Sequence, residues 1–209
     1  MPTPRTKHAP ESAQASPKGS TENAQSQNSV LMGIDTGVKN TAVVTLAGGK
    51  LHRCDIIHPT KGTSENGRYL KIARDVMDIV ELMNPELVGV EGFSLQSKGR
   101  AVSMLYGVGW AIRFGLMQCK REFADVPPTT WKKFCGAGGG ASKEKATKAV
   151  QDKWNFVHDV QDAHDAYAIA QLIAKYRTGT LPDTDMHLTI QQSILRNRSP
   201  LVQEIAQTS

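Results

Sequence analysis

The chain has 209 residues, 39% of them hydrophobic, and a net charge of +5. That is enough chain and enough apolar side chain for one globular domain with a core of its own. No apolar run reaches the roughly 20 residues of a membrane span, and no secretory leader follows the first residues.

Positions 1–29 contain no Leu, Ile, Val, Phe, Tyr or Trp. Such a segment buries too little apolar surface to offset its ordering entropy, and we read it as a disordered tail. A transit peptide into an organelle stays open, against which stand its few basic residues and its Glu11 and Glu22. Order begins at Val30. VLMGIDTG reads as a buried strand ending in an acid, and TAVVTLA and KLHRCDIIH follow it across a GG turn as two more antiparallel strands. From Ser64 to Asn84, apolar residues at spacings of three and four predict an amphipathic helix, closed by Asn84-Pro85. ELVGVEG is a second strand ending in an acid. A helix over about Ser97 to Cys119 and a short strand over Phe123 to Val126 come next. Positions 127–140 hold PP and GAGGG and predict a loop-rich segment. Helices over Ser142 to about Lys153 and Asp162 to Tyr176 end the domain at about residue 177, and 178–209 carry no clear periodicity. An order βββαβαβα predicts an α/β fold of the RNase H-like kind, a mixed five-stranded sheet with helices on both faces.

Charge is uneven along this order. From Gln96 to Lys148 there are ten basic residues, Lys98, Arg100, Arg113, Lys120, Arg121, Lys132, Lys133, Lys143, Lys145 and Lys148, against three acids. They predict a DNA-binding face, with a merely solvated surface as the bland alternative. Cys54, Cys119 and Cys135 are odd in number, widely spaced and outside any zinc spacing, which points to unpaired thiols in a reducing compartment.

Four acids stand out by position. Asp35 ends the first strand, Glu91 ends the fourth, and Asp162 and Asp165 share one face at the start of a helix. Each has an ordinary explanation: a turn residue, a strand-end surface charge, a helix cap, a favourable charge at a helix N-terminus. If the two strands are neighbours, the four converge, and converging carboxylates repel unless a hard cation such as Mg²⁺ joins them. Ions held this way can activate water and stabilise a leaving oxygen in phosphodiester hydrolysis.

GIDTGVKNTAVV, LVGVEGF and QDAHDAYAIA resemble, in order, the three acidic motifs of RuvC-type Holliday junction resolvases, which match Asp35, Glu91, and Asp162 with Asp165. TTWKKFCGAGGGASKEKATKAV is similar to that family's lysine segment. There, two lysines eleven residues apart flank a glycine-bearing loop, as Lys132 and Lys143 do, with Lys133 and Lys145 as near alternatives. The resemblance covers about Val30 to Tyr176. It implies a homodimer that uses Mg²⁺ or Mn²⁺ to make paired, symmetric nicks in four-way DNA junctions. It further implies that Phe93 wedges against an unstacked base, core packing being the other reading. Lys98 and Arg100 in the loop beyond it, with Lys133 and Lys145, are the expected DNA contacts. The glycine-bearing helix around Gly107 and Gly109 is the expected dimer contact, or else packs within the chain. The long N-terminal tail, the C-terminal extension and the GGG loop depart from the family, and a phage-borne or divergent member fits them. The expected place is the cytoplasm of a bacterial or phage-infected cell.

Three other readings compete. Another RNase H-like nuclease would act on RNA–DNA hybrids or integrate DNA. An actin-like kinase or ATPase also opens on G-x-D-x-G, but needs two similar domains. A non-catalytic DNA-binding protein would not need all four acids.

Overall fold

A computed structural model describes residues 29–60, 62, 64–93 and 100–198. Five strands, β1 (Val30–Asp35), β2 (Thr41–Ala47), β3 (Lys50–Ile57), β4 (Leu87–Glu91) and β5 (Phe123–Val126), form one sheet in the order β3-β2-β1-β4-β5. β1, β2 and β3 run antiparallel, while β4 is parallel to β1 and β5 to β4. Among the described residues the helices are α1 (Glu65–Met83), α2 (Arg100–Gln118), α3 (Pro128–Cys135), α4 (Lys143–Trp154), α5 (Gln161–Arg177) and α6 (Thr184–Asn197). This is the mixed, helix-covered sheet that the element order predicts. Among the described residues, no helix is long and apolar enough to cross a membrane. The tail expected to be disordered lies, apart from Ser29, outside the described residues.

Side chains alternate across a strand, so each strand contributes to two cores. Met32, Ile34, Val88 and Val90 face α1 and α2, whereas Leu31 and Leu87 face the side on which α5 lies. α1 is bounded as its sequence predicts. The Ser64 hydroxyl accepts from the Gly67 N–H at 3.2 Å, and Asn84 ends the helix in a left-handed conformation at φ 47°.

α5 lies almost directly on the sheet. Gly33 and Gly89 are register partners on β1 and β4. A Cβ on Gly33 would come within 2.2 Å of the Ala166 carbonyl oxygen, and one on Gly89 within 2.6 Å of Ile173. The paired glycines form a floor that lets the helix backbone approach. They also set its register, because Asp35 and Glu91 stand two residues further along the same strands and face the same side.

Two segments differ from expectation. The stretch with PP and GAGGG is not all loop, for α3 occupies most of it. Pro128 sits in the first turn, where its missing N–H costs nothing, and Gly136 closes the helix at φ 93°. Beyond residue 178, α6 places Met186, Ile190 and Ile194 in the α5-side core. Its capping residue Asp183 accepts from the Asp185 and Met186 N–H groups. α6 packs along β5. The Ser193 hydroxyl accepts from the Asp125 N–H at 2.7 Å, and the Asn197 amide donates to the Phe123 carbonyl at 3.1 Å.

Candidate active site

The C-terminal ends of β1 and β4 open into a cleft of about 450 Å³. Asp35, Glu91, Asp162 and Asp165 all line it, together with Phe93, Trp131, Lys132 and Lys143. Sheet register sets Asp35 beside Glu91, and the first turns of α5 bring the other two acids over them. Carboxylate oxygens of Asp35, Asp162 and Asp165 lie within 4.8 Å of one another. The Glu91 carboxylate stands beside this group and accepts from the Trp131 indole at 3.2 Å.

The acids strain against one another. Burial, then the charge of Glu91 and a hydrogen bond with it, hold Asp35 well above the ordinary carboxylate range. Asp165 is pushed up to about 7, chiefly by burial. Lys143 pulls it down, while Glu91 and Asp162 push it up. Its Oδ1 is buried and has no hydrogen-bond partner among the described residues. Asp162 is not a helix cap, since Val160 holds that position and makes no side-chain cap. Instead Asp162 accepts from Asn40 at 3.2 Å and pairs with Lys143. Sequence reasoning did not single out Asn40. Its place just before β2, opposite the end of β1, is visible only once the hairpin is built.

The two lysine pairs separate. Lys143 reaches the acids, pairing with Asp162 and lying 3.6 Å from Asp165. Burial draws its pKa down, but the Asp162 hydrogen bond and the charges of Asp165, Asp35 and Asp162 outweigh this and hold it above the ordinary lysine range. Lys132 lines the cleft and donates to the Ala141 carbonyl at 2.9 Å, tying down the glycine loop. Lys133 and Lys145 are exposed and do not line the cleft.

Phe93 stands between the cleft and the aromatic side chains of α2. Its ring lines the cleft and packs edge-on against Tyr106 at 4.7 Å. Lys98 falls outside the described residues, and Arg100 is the first residue of α2. His164, next to Asp165 in sequence, is buried against Phe156 rather than in the cleft. The three cysteines are free, and burial pushes the Cys54 thiol up to about 11.

The basic stretch does not form one continuous face. Arg113 is only 2% exposed and belongs to the core. Lys120 and Arg121 precede β5, whose first residue pairs with Val88, so they lie toward the strand ends opposite the cleft. A charge count along sequence cannot separate a buried guanidinium from a solvated one. The glycines of α2 serve packing within the chain: Gly107 seats Tyr69, Gly109 seats Phe93 and Gly115 seats Met77.

The sequence profile of the family described as "Crossover junction endodeoxyribonuclease RuvC" matches residues 31–173. This chain belongs to the RuvC family. It is 29% identical over 146 residues to the crossover junction endodeoxyribonuclease RuvC of Synechococcus sp. (strain CC9902), covering 67% of this chain and 94% of that one. With the protein of the same description from Synechococcus sp. (strain CC9311), identity is 32% over 123 residues, covering 56% and 74%. The fold is also that of Thermus thermophilus RuvC, solved in complex with Holliday junction substrate. The TM-score is 0.61 at 18% identity, over 73% of this chain and 98% of that chain. α6 lies beyond the part that matches the RuvC profile.

Proposed function

We propose that this protein is a metal-dependent endonuclease that resolves four-way DNA junctions by paired, symmetric nicks. Membership of the RuvC family supports the reaction class. The observation that carries it is the group of carboxylates within 4.8 Å of one another, with one buried oxygen lacking a donor, at the mouth of a cleft that also holds two lysines. That donor set fits a hard divalent cation, since all-oxygen ligands that repel one another are relieved by Mg²⁺ or Mn²⁺. Asp35, Asp162 and Asp165 would hold it, with Glu91 beside them. When bound, such ions supply an activated water and stabilisation of the leaving oxygen.

The chain's own groups do the rest. Lys143 and Lys132 offer positive charge where the scissile phosphate would enter and where charge develops in the transition state. Trp131 orients the Glu91 carboxylate through its indole N–H. Phe93 presents a ring on which a base freed at the branch point can stack. Lys98, Arg100, Lys133 and Lys145 are the proposed backbone contacts, which position DNA without reading its sequence.

The active form is a homodimer. Paired nicks on a two-fold symmetric junction call for two sites related by the same axis. On α2 the Trp110 and Phe114 rings stack at 5.7 Å and are 47% and 57% exposed, which offers an apolar patch for a second copy. Sedimentation at assay concentration reads the assembly, and a monomer making uncoupled single nicks would overturn it. The free thiols fit a reducing cytoplasm, where we place its action.

The deciding experiment incubates the protein with a synthetic four-way junction, a linear duplex and an RNA–DNA hybrid in Mg²⁺, read on denaturing gels. Symmetric nicks confined to the junction support the proposal. Cutting of the hybrid alone would move the protein to another RNase H-like activity. Junction binding without cleavage under Mg²⁺ and Mn²⁺ would make it a binding protein.

A further inference from the structure

We propose that Arg113 is a positioning residue of the cleft, holding the Glu91–Phe93 turn in place from inside the core. The inference rests on the reading of the cleft as a nuclease site.

Arg113 is 2% exposed, and a buried guanidinium is costly unless its donors are paired. Here they are paired in a defined way. Nε donates to Asp125 Oδ1 at 2.7 Å, Nη1 to the Gly109 carbonyl at 2.9 Å and Nη2 to the Glu91 carbonyl at 2.9 Å. The Glu91 carbonyl and the Gly92 N–H belong to one peptide unit, and that N–H donates to the Val126 carbonyl at 2.8 Å. The unit is thus clamped on both sides. Its orientation sets where the Glu91 carboxylate and the Phe93 ring leave the backbone.

The same guanidinium lies 4.4 Å from the centre of the Phe93 ring, a cation–π contact that holds the ring from behind. Gly109 makes room for both groups. A Cβ there would come within 2.5 Å of the ring and 3.1 Å of Nη1. Asp125, the arginine's ionic partner, is itself held by Ser193 of α6 through its backbone N–H. An apolar side chain of equal volume would fill this place without the desolvation cost. It would supply neither the fork of donors nor the planar face.

The test uses the full-length protein with Arg113→Lys and Arg113→Met. Three quantities are read: hydrogen exchange over residues 91–93, single-turnover cleavage of the junction, and fluorescence of 2-aminopurine at the branch point. Exchange over 91–93 should rise about tenfold while α1 keeps its protection. Cleavage should fall about tenfold or more, as small misplacements of reacting groups do, with junction affinity within about threefold. The unstacking signal should fall as well, and in a Phe93→Ala background the arginine change should add nothing to that loss. Unchanged exchange and cleavage in either folded variant would overturn the proposal. So would losses that track global stability, or additive losses in the double variant. If neither arginine variant folds, Asp125→Asn loosens the guanidinium without removing it, and the same three measurements decide. If the wild type neither binds nor cuts the junction, the reading of the cleft fails, while the exchange measurement still decides the role of Arg113 without DNA.

Discussion

The two ends of α5 are built to opposite rules. From Ala166 to Ala174 the helix is buried among apolar neighbours and rests on the glycine floor of β1 and β4. In its first turns, four residues earlier, buried and half-buried carboxylates crowd one another and lean on Lys143. One end stabilises the fold, and the other would be more stable without its charges. The rigid end is what keeps the crowded end assembled, so packing and the proposed catalytic carboxylates occupy one helix but separate residues.

That division can be broken by substitution. The largest effect belongs to the acids: Asp35→Asn, Glu91→Gln, Asp162→Asn and Asp165→Asn should each abolish junction cleavage, with affinity largely kept because binding comes mainly from basic contacts to phosphate. Asp165→Asn should also raise the melting temperature of the metal-free protein. An acid variant that cuts at near wild-type rate has been wrongly assigned.

At the other end, Gly33→Ala should cost about 3 kcal/mol or more in urea unfolding, because the new methyl meets helix backbone, which cannot move aside as a side chain can. A loss of activity with no loss of stability there would mean that α5 shifts freely over the sheet.

Next come the lysines that face the crowded end. Lys143→Ala and Lys132→Ala should slow cleavage by roughly a hundredfold, as loss of a single transition-state donor does. Their affinity for the junction should change far less. Equal losses in both would make them docking groups.

The smallest effect is a pH dependence. In the folded metal-free protein the Asp165 carboxyl is pushed up to about 7, against about 3.9 for an unfolded aspartate. Between those values the folded state keeps a proton that the unfolded chain has lost. The destabilisation is therefore absent below the lower value, grows as pH rises and is complete above the upper one. Asp35, also raised, acts in the same direction. Metal-free protein should melt at a higher temperature near pH ~5 than near pH ~8, and Asp165→Asn should shrink the difference. A melting temperature that climbs over that range would contradict the crowding.

Much of this was legible in the sequence, for physical reasons that differ by segment. Strand ends were marked by an acid following an apolar run, and α1 by Ser64 and Asn84 at its limits. All four acids do converge, because strand neighbourhood and helix spacing leave them little choice. α3 was hidden by its own punctuation, since Pro128 and Gly136 are loop signals unless they sit just inside a start and just past an end. α6 was hidden because exposed Leu188 and Leu195 blur the spacing of Met186, Ile190 and Ile194. Which of Lys132 and Lys133, and which of Lys143 and Lys145, lines the cleft depends on the direction of each side chain, which spacing alone does not carry. Arg113 counted as surface charge until its burial was seen.

The packing of α6 along β5 has a consequence for solution behaviour. An edge strand normally exposes a row of unpaired N–H and C=O groups, a template on which another chain can add. On β5 the Asp125 N–H and the Phe123 carbonyl are taken up instead by the Ser193 and Asn197 side chains, so a helix stands where a sixth strand could have joined. Extension of the sheet by another chain is obstructed on that side. A chain cut before Thr184 would regain a sticky edge, and with it a route to aggregation that the intact protein has closed.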